Sequence, residues 1–276
     1  MTLVIKNKNV SLPSGEKLYR DALVTNGTIY LTDFSNRGAT NNFSVKNSDI
    51  VMDLARESSV PLGVIAQGQI ITNKSSSELT AKKGFTADGI TGPGAYGLNI
   101  QAIAEYLTNH QNNNILFNLW VNTGVSGNAR GFIRTYGGGT DWSNTAFRAN
   151  ISNTGNLTMT IAGVALQSST YYPLPNSDVR LAYLYQGVGK GLKVWINGVY
   201  KGETAALATG FSAANMTIII GKPEISATGN QTFYRMLIED LTVSGRTAEA
   251  VVEKDYNYVN ALGEYEGIPK RPFANL

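Results

Sequence analysis

Apolar and polar positions alternate along most of this chain, most clearly over Leu192 to Glu203, LKVWINGVYKGE, where two alternating runs meet at Asn197-Gly198. Asn-Gly accepts positive φ at both central positions, so it suits the type I′ turn whose twist matches that of its flanking strands. The expected hairpin puts Leu192, Val194, Ile196, Val199, Lys201 and Glu203 on one face and Lys193, Trp195, Tyr200 and Gly202 on the other. Trp195 then stands across from Tyr200.

Similar runs recur at short spacing: Phe85–Thr91, Ile115–Asn122, Gly131–Thr135, Phe147–Ile151, Leu157–Ile161, Val179–Tyr185, Met216–Gly221 and Phe233–Val243. That rhythm predicts an all-β chain, an antiparallel β-sandwich of jelly-roll type over residues 79–262. Before it, residues 1–78 carry shorter runs at Leu3–Ile5, Ala22–Thr25, Thr28–Thr32, Ile50–Leu54 and Gly63–Thr72, and Asn26-Gly27 signals a hairpin between the second and third. The polar stretch NKSSSE, residues 73–78, bounds this small N-terminal β region. It is either a subdomain for attachment or oligomerisation or a set of strands that completes the main sheets.

Two stretches change period and predict short helices. Over Leu98–Asn109, Ile100, Ile103, Ala104 and Leu107 recur at helical spacing before the turn-forming NHQNNN. Over Thr247–Val259, Thr247 is placed to cap, Glu249 lies in the first turn, and Ala248, Val251, Val252, Tyr256 and Val259 form an apolar stripe. Residues 263–276 read as an irregular tail.

Composition supports the β reading and narrows the chemistry. Only 16% of the 276 residues are charged, and 29 are glycine, as turn-rich strands require. The net charge of +3 is spread without blocks, which gives no nucleic-acid footprint. Cysteine is absent, which excludes disulfides, thiolate metal sites and a cysteine nucleophile. The one histidine, His110, falls in the Asn-rich turn, where solvent exposure is expected; a Ser-His-Asp catalytic arrangement has little room. No stretch approaches the roughly 20 apolar residues of a membrane span. The opening MTLVIKNKNV has no export-signal pattern, so synthesis in the cytoplasm without membrane insertion is expected.

Candidate chemistry is sparse. Retaining glycoside hydrolysis needs two carboxyls about 5 Å apart, which alternate acids on one strand supply. The only Glu-x-Asp, Glu253-Lys254-Asp255, falls in the last helix, so no catalytic residue and no cofactor is assigned. The glycine-rich QGVGKG, residues 186–191, lacks phosphate-loop spacing and precedes a strand, so it reads as a turn. Sugar sites pair an aromatic face with amides or carboxylates for the hydroxyls. The loop TYGGGTDWSN, residues 135–144, has that mixture, making Tyr136, Asp141, Trp142 and Asn144 the carbohydrate-binding candidates. Equally, its glycines could make a bulged hairpin whose aromatics pack inward. Tyr171-Tyr172-Pro173 is a weaker candidate of the same kind, and Trp195 with Tyr200 is either an exposed platform or, more in keeping with such pairs, packing.

The series NILFNLWVNTG, NISNTGNLTMTIAG, DVRLAYLYQGVGKGLKVWINGVYKGE, MTIIIGKPE and TFYRMLIEDLTVSGRTAEAVVEKDYNYV resembles laminin G-like domains of the concanavalin A-like lectin/glucanase superfamily. The resemblance implies two curved antiparallel sheets. It departs from the family where a Trp-His pair is usual, at Asp178, Val179 and Arg180, and where Met236 replaces a glycine. Glu239 and Asp240 take the place of an acidic pair; turn hydrogen bonding or a surface pair is the preferred reading over calcium, which needs six to eight oxygen ligands.

Domains of this superfamily mostly act outside cells on glycans, yet the chain shows no export signal and no cysteine. It resembles in this the laminin G-like proteins of bacteriophage virions, in tail or head fibres and decorations. That likeness implies a non-enzymatic virion adhesion protein, with other virion proteins and a cell-surface glycan as partners and a homo-oligomer, such as a trimer, as the assembly. A carbohydrate-active enzyme or its binding module, and a purely structural virion subunit without a sugar site, are the alternatives.

Overall fold

The computed structural model describes residues 21–34, 44–71, 77–78, 84–87, 96–100, 103–124, 130–136, 147–151, 157–161, 164–168, 177–207, 217–222 and 231–261. In chain order its strands are β1 (Thr28–Asp33), β2 (Ser44–Val45), β3 (Ile50–Val51), β4 (Gly68–Ile71), β5 (Ser77–Glu78), β6 (Phe85–Ala87), β7 (Tyr96–Ile100), β8 (Ile115–Asn122), β9 (Arg130–Tyr136), β10 (Phe147–Ile151), β11 (Leu157–Ile161), β12 (Val164–Ser168), β13 (Asp178–Tyr185), β14 (Leu192–Ile196), β15 (Val199–Glu203), β16 (Thr217–Lys222) and β17 (Gln231–Asp240). The helices are α1 (Arg56–Ser59), α2 (Ile103–Asn109), α3 (Leu241–Ser244) and α4 (Ala248–Ala261).

Two antiparallel sheets make an all-β sandwich. One runs β1-β17-β8-β13-β14-β15, with β6 also on β17; the other runs β12-β11-β10-β9-β16-β7-β4-β3. The strands of residues 28–71 therefore contribute to both: β1 pairs with β17, while β3 and β4 extend the second sheet beside β7. Alternation decides what goes where. Phe117, Leu119, Leu181, Tyr183, Val194 and Met236 point between the sheets and meet Ile70, Leu98 and Ile100 of the second.

The first sheet is buried on its other face too. Leu116, Ala182, Leu184, Trp195 and Leu237 pack there against Ala248, Val251 and Val252 of α4, with Leu31 and Ala55 alongside. Double burial explains why β8 reads as a nearly continuous apolar run and why every residue of β17, its charged ones included, is buried. The apolar stripe expected on the last helix is the one that covers the sheet, and Thr247 Oγ1 accepts from Ala250 N as its cap.

The Asn197-Gly198 hairpin forms, with φ of 51° and 80° at its two turn residues and Trp195 opposite Tyr200. Beyond Tyr200 the expected faces fail. A bulge at Lys201 brings Gly202 opposite Val194 and Glu203 opposite Lys193, so those two residues exchange faces.

Other boundaries differ for local reasons. Ala22–Thr25 is not a strand, because Asp21 Oδ1 accepts from Leu23 N and turns the chain; Asn26-Gly27 is the turn that feeds β1. After Val51, Asp53 Oδ1 takes Leu31 N and Ala55 N, which ends β3 early. Leu98–Ile100 belongs to β7, held between β16 and β4, and α2 begins only at Ile103. The strand expected at Phe233–Val243 starts at Gln231 and stops at Asp240, whose Oδ1 caps α3 by accepting from Thr242 N and Val243 N. Leu3–Ile5 and the tail beyond residue 261 lie outside the described residues.

Candidate functional site

Of the sequence candidates, Tyr136 ends β9, where its backbone pairs with Thr217 of β16. Asp141, Trp142 and Asn144, and Tyr171-Tyr172-Pro173, lie outside the described residues. The remaining candidates gather on the α4 side of the first sheet.

There the Asn197-Gly198 turn and α4 enclose an open recess of about 480 Å³, lined by Arg180, Trp195, Asn197, Gly198, Val199, Glu249, Val252, Glu253 and Tyr256. Its size falls within the roughly 300–1,000 Å³ range of small-molecule sites. Register builds it. Arg180 lies opposite Trp120 on the α4-facing side of β13, in line with Ala182 and Leu184, so its side chain runs beneath the helix. Asn197 Oδ1 accepts from Arg180 N at 3.0 Å, and Asn197 N donates back to Arg180 O at 2.9 Å, which clamps the turn to β13.

Arg180 is 2% exposed. Its Nη1 donates to Val252 O at 2.6 Å, and its guanidinium lies 4.9 Å from the Tyr256 ring centre and 5.4 Å from that of Trp120. Its Nε is buried without a hydrogen-bond partner. Burial pulls the guanidinium below its ordinary pKa, and Asp255 and Tyr256 oppose that fall. Gly198 is required here on two grounds. Its φ is +80°, and a Cβ would stand 2.5 Å from Arg180 Nη2. On the helix side of the recess, Glu249 and Glu253 stand exposed one turn apart.

Trp195 is a wall of this recess and is packed, at 2% exposure, with Tyr200 tilted against it at 5.5 Å between centroids. Tyr200 itself is half exposed. The pair is therefore a buried indole with an exposed phenol at its edge.

The acidic residues noted in the sequence have structural partners. Glu239 and Asp240 are fully buried, so the surface-pair reading fails. Glu239 pairs with Arg246 and accepts from Thr25 Oγ1, while Asp240 Oδ2 accepts from Tyr106 Oη at 2.8 Å and Asn113 Nδ2 at 2.6 Å. His110 is not solvent-exposed either. It is half-buried, its ring stacked on Tyr106 at 3.9 Å, with Nδ1 2.8 Å from the Tyr106 carbonyl. Among the described residues, no group of three His, Cys, Asp or Glu side chains is placed to hold a metal ion, and no helix is long and apolar enough to cross a membrane.

In the sequence Arg180 stands out only as a departure from the family pattern and Asp255 only as part of the single Glu-x-Asp, neither as a site residue. Arg180 sits in DVRLAYLY on the same side as Ala182 and Leu184, and Asp255 sits seven residues after Ala248 on the apolar stripe of α4. In each case the signal was a charge at a position whose neighbours are buried.

No family model and no curated protein compared with the chain matches it. Solved structures do. A Trypanosoma rangeli sialidase in complex with 2,3-difluorosialic acid aligns with a TM-score of 0.55 at 11% identity, over 90% of this chain and 35% of that one. The binding domain of botulinum neurotoxin serotype D/C aligns at 0.56 and 12% identity, over 84% of this chain and 52% of that one. This chain thus spans about a third of the sialidase and half of the toxin domain. At such identities the likeness concerns the fold alone, an all-β sandwich.

Proposed function

We propose that this chain is a non-enzymatic, lectin-like module that binds carbohydrate, and that it serves a bacteriophage virion as a structural and adhesion protein recognising cell-surface glycan. The observation that carries the binding reading is the recess between the hairpin turn and α4. It combines the partly exposed aromatic ring of Tyr256, a buried guanidinium donor at Arg180 and two exposed carboxylates, in a volume suited to sugar rings. Those are the groups that meet the apolar and hydroxyl-bearing faces of a saccharide. The non-enzymatic reading draws on the single Glu-x-Asp of the sequence, Glu253-Lys254-Asp255, lying on α4 and not on a strand. The virion reading draws on the resemblance to phage laminin G-like proteins, and with it come other virion proteins and sister chains as partners.

Glycan-array binding by the purified chain, together with its detection in purified particles, tests the proposal. A glycan signal with no release of reducing ends from the bound polysaccharide is expected. Release of reducing ends would replace it with a carbohydrate-active enzyme. A chain that is found in particles but is silent on the array would be a purely structural subunit, and absence from particles would remove the virion assignment.

A further inference from the structure

We infer that the recess between the β14–β15 turn and α4 binds an amine-bearing saccharide, with Glu249 and Glu253 taking the ammonium and Arg180 and Asn197 the neighbouring oxygens. This rests on the lectin-like reading above and adds to it a site and a ligand class.

Two independent features of the recess point to complementary groups on one ligand. The first is Arg180. It is 98% buried by its 2% exposure and lines the recess, yet its Nε has no hydrogen-bond partner, while Nη1 is fixed on Val252 O. Nη2 reaches beneath Gly198, whose missing Cβ leaves it room. A guanidinium held this way asks for acceptor oxygens, and a polyol supplies them. Asn197 is similarly poised: its Oδ1 is occupied by Arg180 N, which leaves its amide nitrogen as a second donor at the turn.

The second feature is the acid pair. Glu249 and Glu253 are four residues apart on one helix face, exposed, and neither is in an ion pair among the described residues. Like charges at that spacing repel each other, and a cation between them turns the repulsion into attraction. Both carboxylates are exposed and line the recess while the guanidinium is buried, so the solvent side of the recess favours a cation over an anion. Oxygens at one end, a cation at the other and the partly exposed ring of Tyr256 beside them describe an amino sugar better than a neutral or acidic one.

Calorimetric titration of the whole chain with glucosamine oligomers, their N-acetylated counterparts and sialyllactose tests the assignment. The glucosamine oligomers are expected to bind at least about tenfold more tightly than the N-acetylated ones, a difference of about 1.4 kcal/mol. Binding should weaken as salt is added, and sialyllactose should not bind. The double variant Glu249→Gln, Glu253→Gln, altered only at exposed helix positions and checked by thermal unfolding, is expected to lose the preference for the free amine. Equal binding of both oligomers by the natural chain, or preference for sialyllactose, overturns the inference. A preference that survives the double variant moves the amine to another site and overturns it too. If none of the three ligands binds while the array lights up with other glycans, the recess assignment fails and the lectin-like reading stands. Silence on the whole array sinks both.

Discussion

Arg235 Nε donates to Asp255 Oδ1 at 2.9 Å, tying the centre of β17 to the middle of the helix that covers it. Both groups are about 1% exposed. Arg235 Nη1 also reaches Asp21 at 2.7 Å and Asp33 at 3.3 Å, while Asp255 Oδ2 accepts from Asn118 Nδ2 at 2.8 Å and from Trp120 Nε1. Burial alone would lower the Arg235 pKa, but Asp21, Asp255 and Asp33 outweigh it and hold the guanidinium well above its ordinary value. One charged centre thus joins the segment before β1, the strands β1, β8 and β17, and α4.

Asp255→Ala should therefore lower stability strongly. It removes the acceptor of three donors and strips a buried cation of one of its counter-charges, a class of change that costs about 3–5 kcal/mol. Urea unfolding followed by tryptophan fluorescence measures it, and the emission of Trp120 should shift in the folded state as well. A loss below about 1 kcal/mol would show that Asp21 and Asp33 alone satisfy Arg235.

Trp195 and Tyr200 face each other across the hairpin but should contribute very unequally. Trp195 packs with Leu184, Leu237, Val251 and Val252, so Trp195→Ala opens a cavity under α4 and should cost about 3–5 kcal/mol. Tyr200 is half exposed on the edge strand, and Tyr200→Ala should stay within about 1 kcal/mol. Similar losses for both in chemical denaturation would mean that the tilted ring contact, not burial under the helix, carries the pair.

These contrasts show what the sequence could and could not reveal. Where one force decided, it was readable: Ile115–Asn122, Phe147–Ile151, Leu157–Ile161 and Leu192–Ile196 match β8, β10, β11 and β14 end to end, and the Asn197-Gly198 turn has its expected φ values. Where a distant partner decided, local pattern misled. Leu98 and Ile100 have helical neighbours, yet pairing with β16 and β4 takes them into a sheet. Val164–Ser168 forms β12 through its pairing with β11, without a strong pattern of its own. The Lys201 bulge depends on a register set across the sheet. The recess was invisible for a related reason. Arg180, Asn197 and the Glu249–Glu253 pair lie on three separate elements, and the docking of α4 on the outer face of the sheet brings them together.

Gly27 and Gly63 separate two reasons for glycine. At Gly63 φ is +77° and a Cβ would meet nothing within 4 Å, so Gly63→Ala should cost about 1–2 kcal/mol from the left-handed backbone alone. At Gly27 a Cβ would stand 2.4 Å from the backbone oxygen of Asp240 and 2.8 Å from Ser244 N. Since neither is the end of a flexible side chain, Gly27→Ala must displace the β17–α3 junction, where Asp240 N donates to Gly27 O at 2.8 Å. Thermal unfolding should rank Gly27→Ala as the more harmful by a clear margin. The reverse order would mean that the junction yields easily.

Asp53 offers a pH dependence with a defined sign. Its carboxylate is 6% exposed and accepts from Ser59 Oγ at 2.6 Å, Leu31 N at 3.0 Å and Ala55 N at 2.9 Å. Burial nevertheless dominates and raises its pKa above the ordinary aspartate value, with those three bonds and Arg56 opposing. The folded protein therefore holds the Asp53 proton to higher pH than the unfolded chain does. Its contribution to stability is fully present below the unfolded pKa of about 3.9 and is lost as pH rises through the folded value. Asp53→Asn keeps an oxygen for the two backbone donors, and Ser59 can turn its hydroxyl to accept from the new amide. The variant should thus be as stable as the natural protein or more so at neutral pH, and its stability should fall less steeply as pH rises from about 4. Urea midpoints measured across that range test this, and parallel curves for the two proteins would show that burial of Asp53 carries no proton-linked penalty.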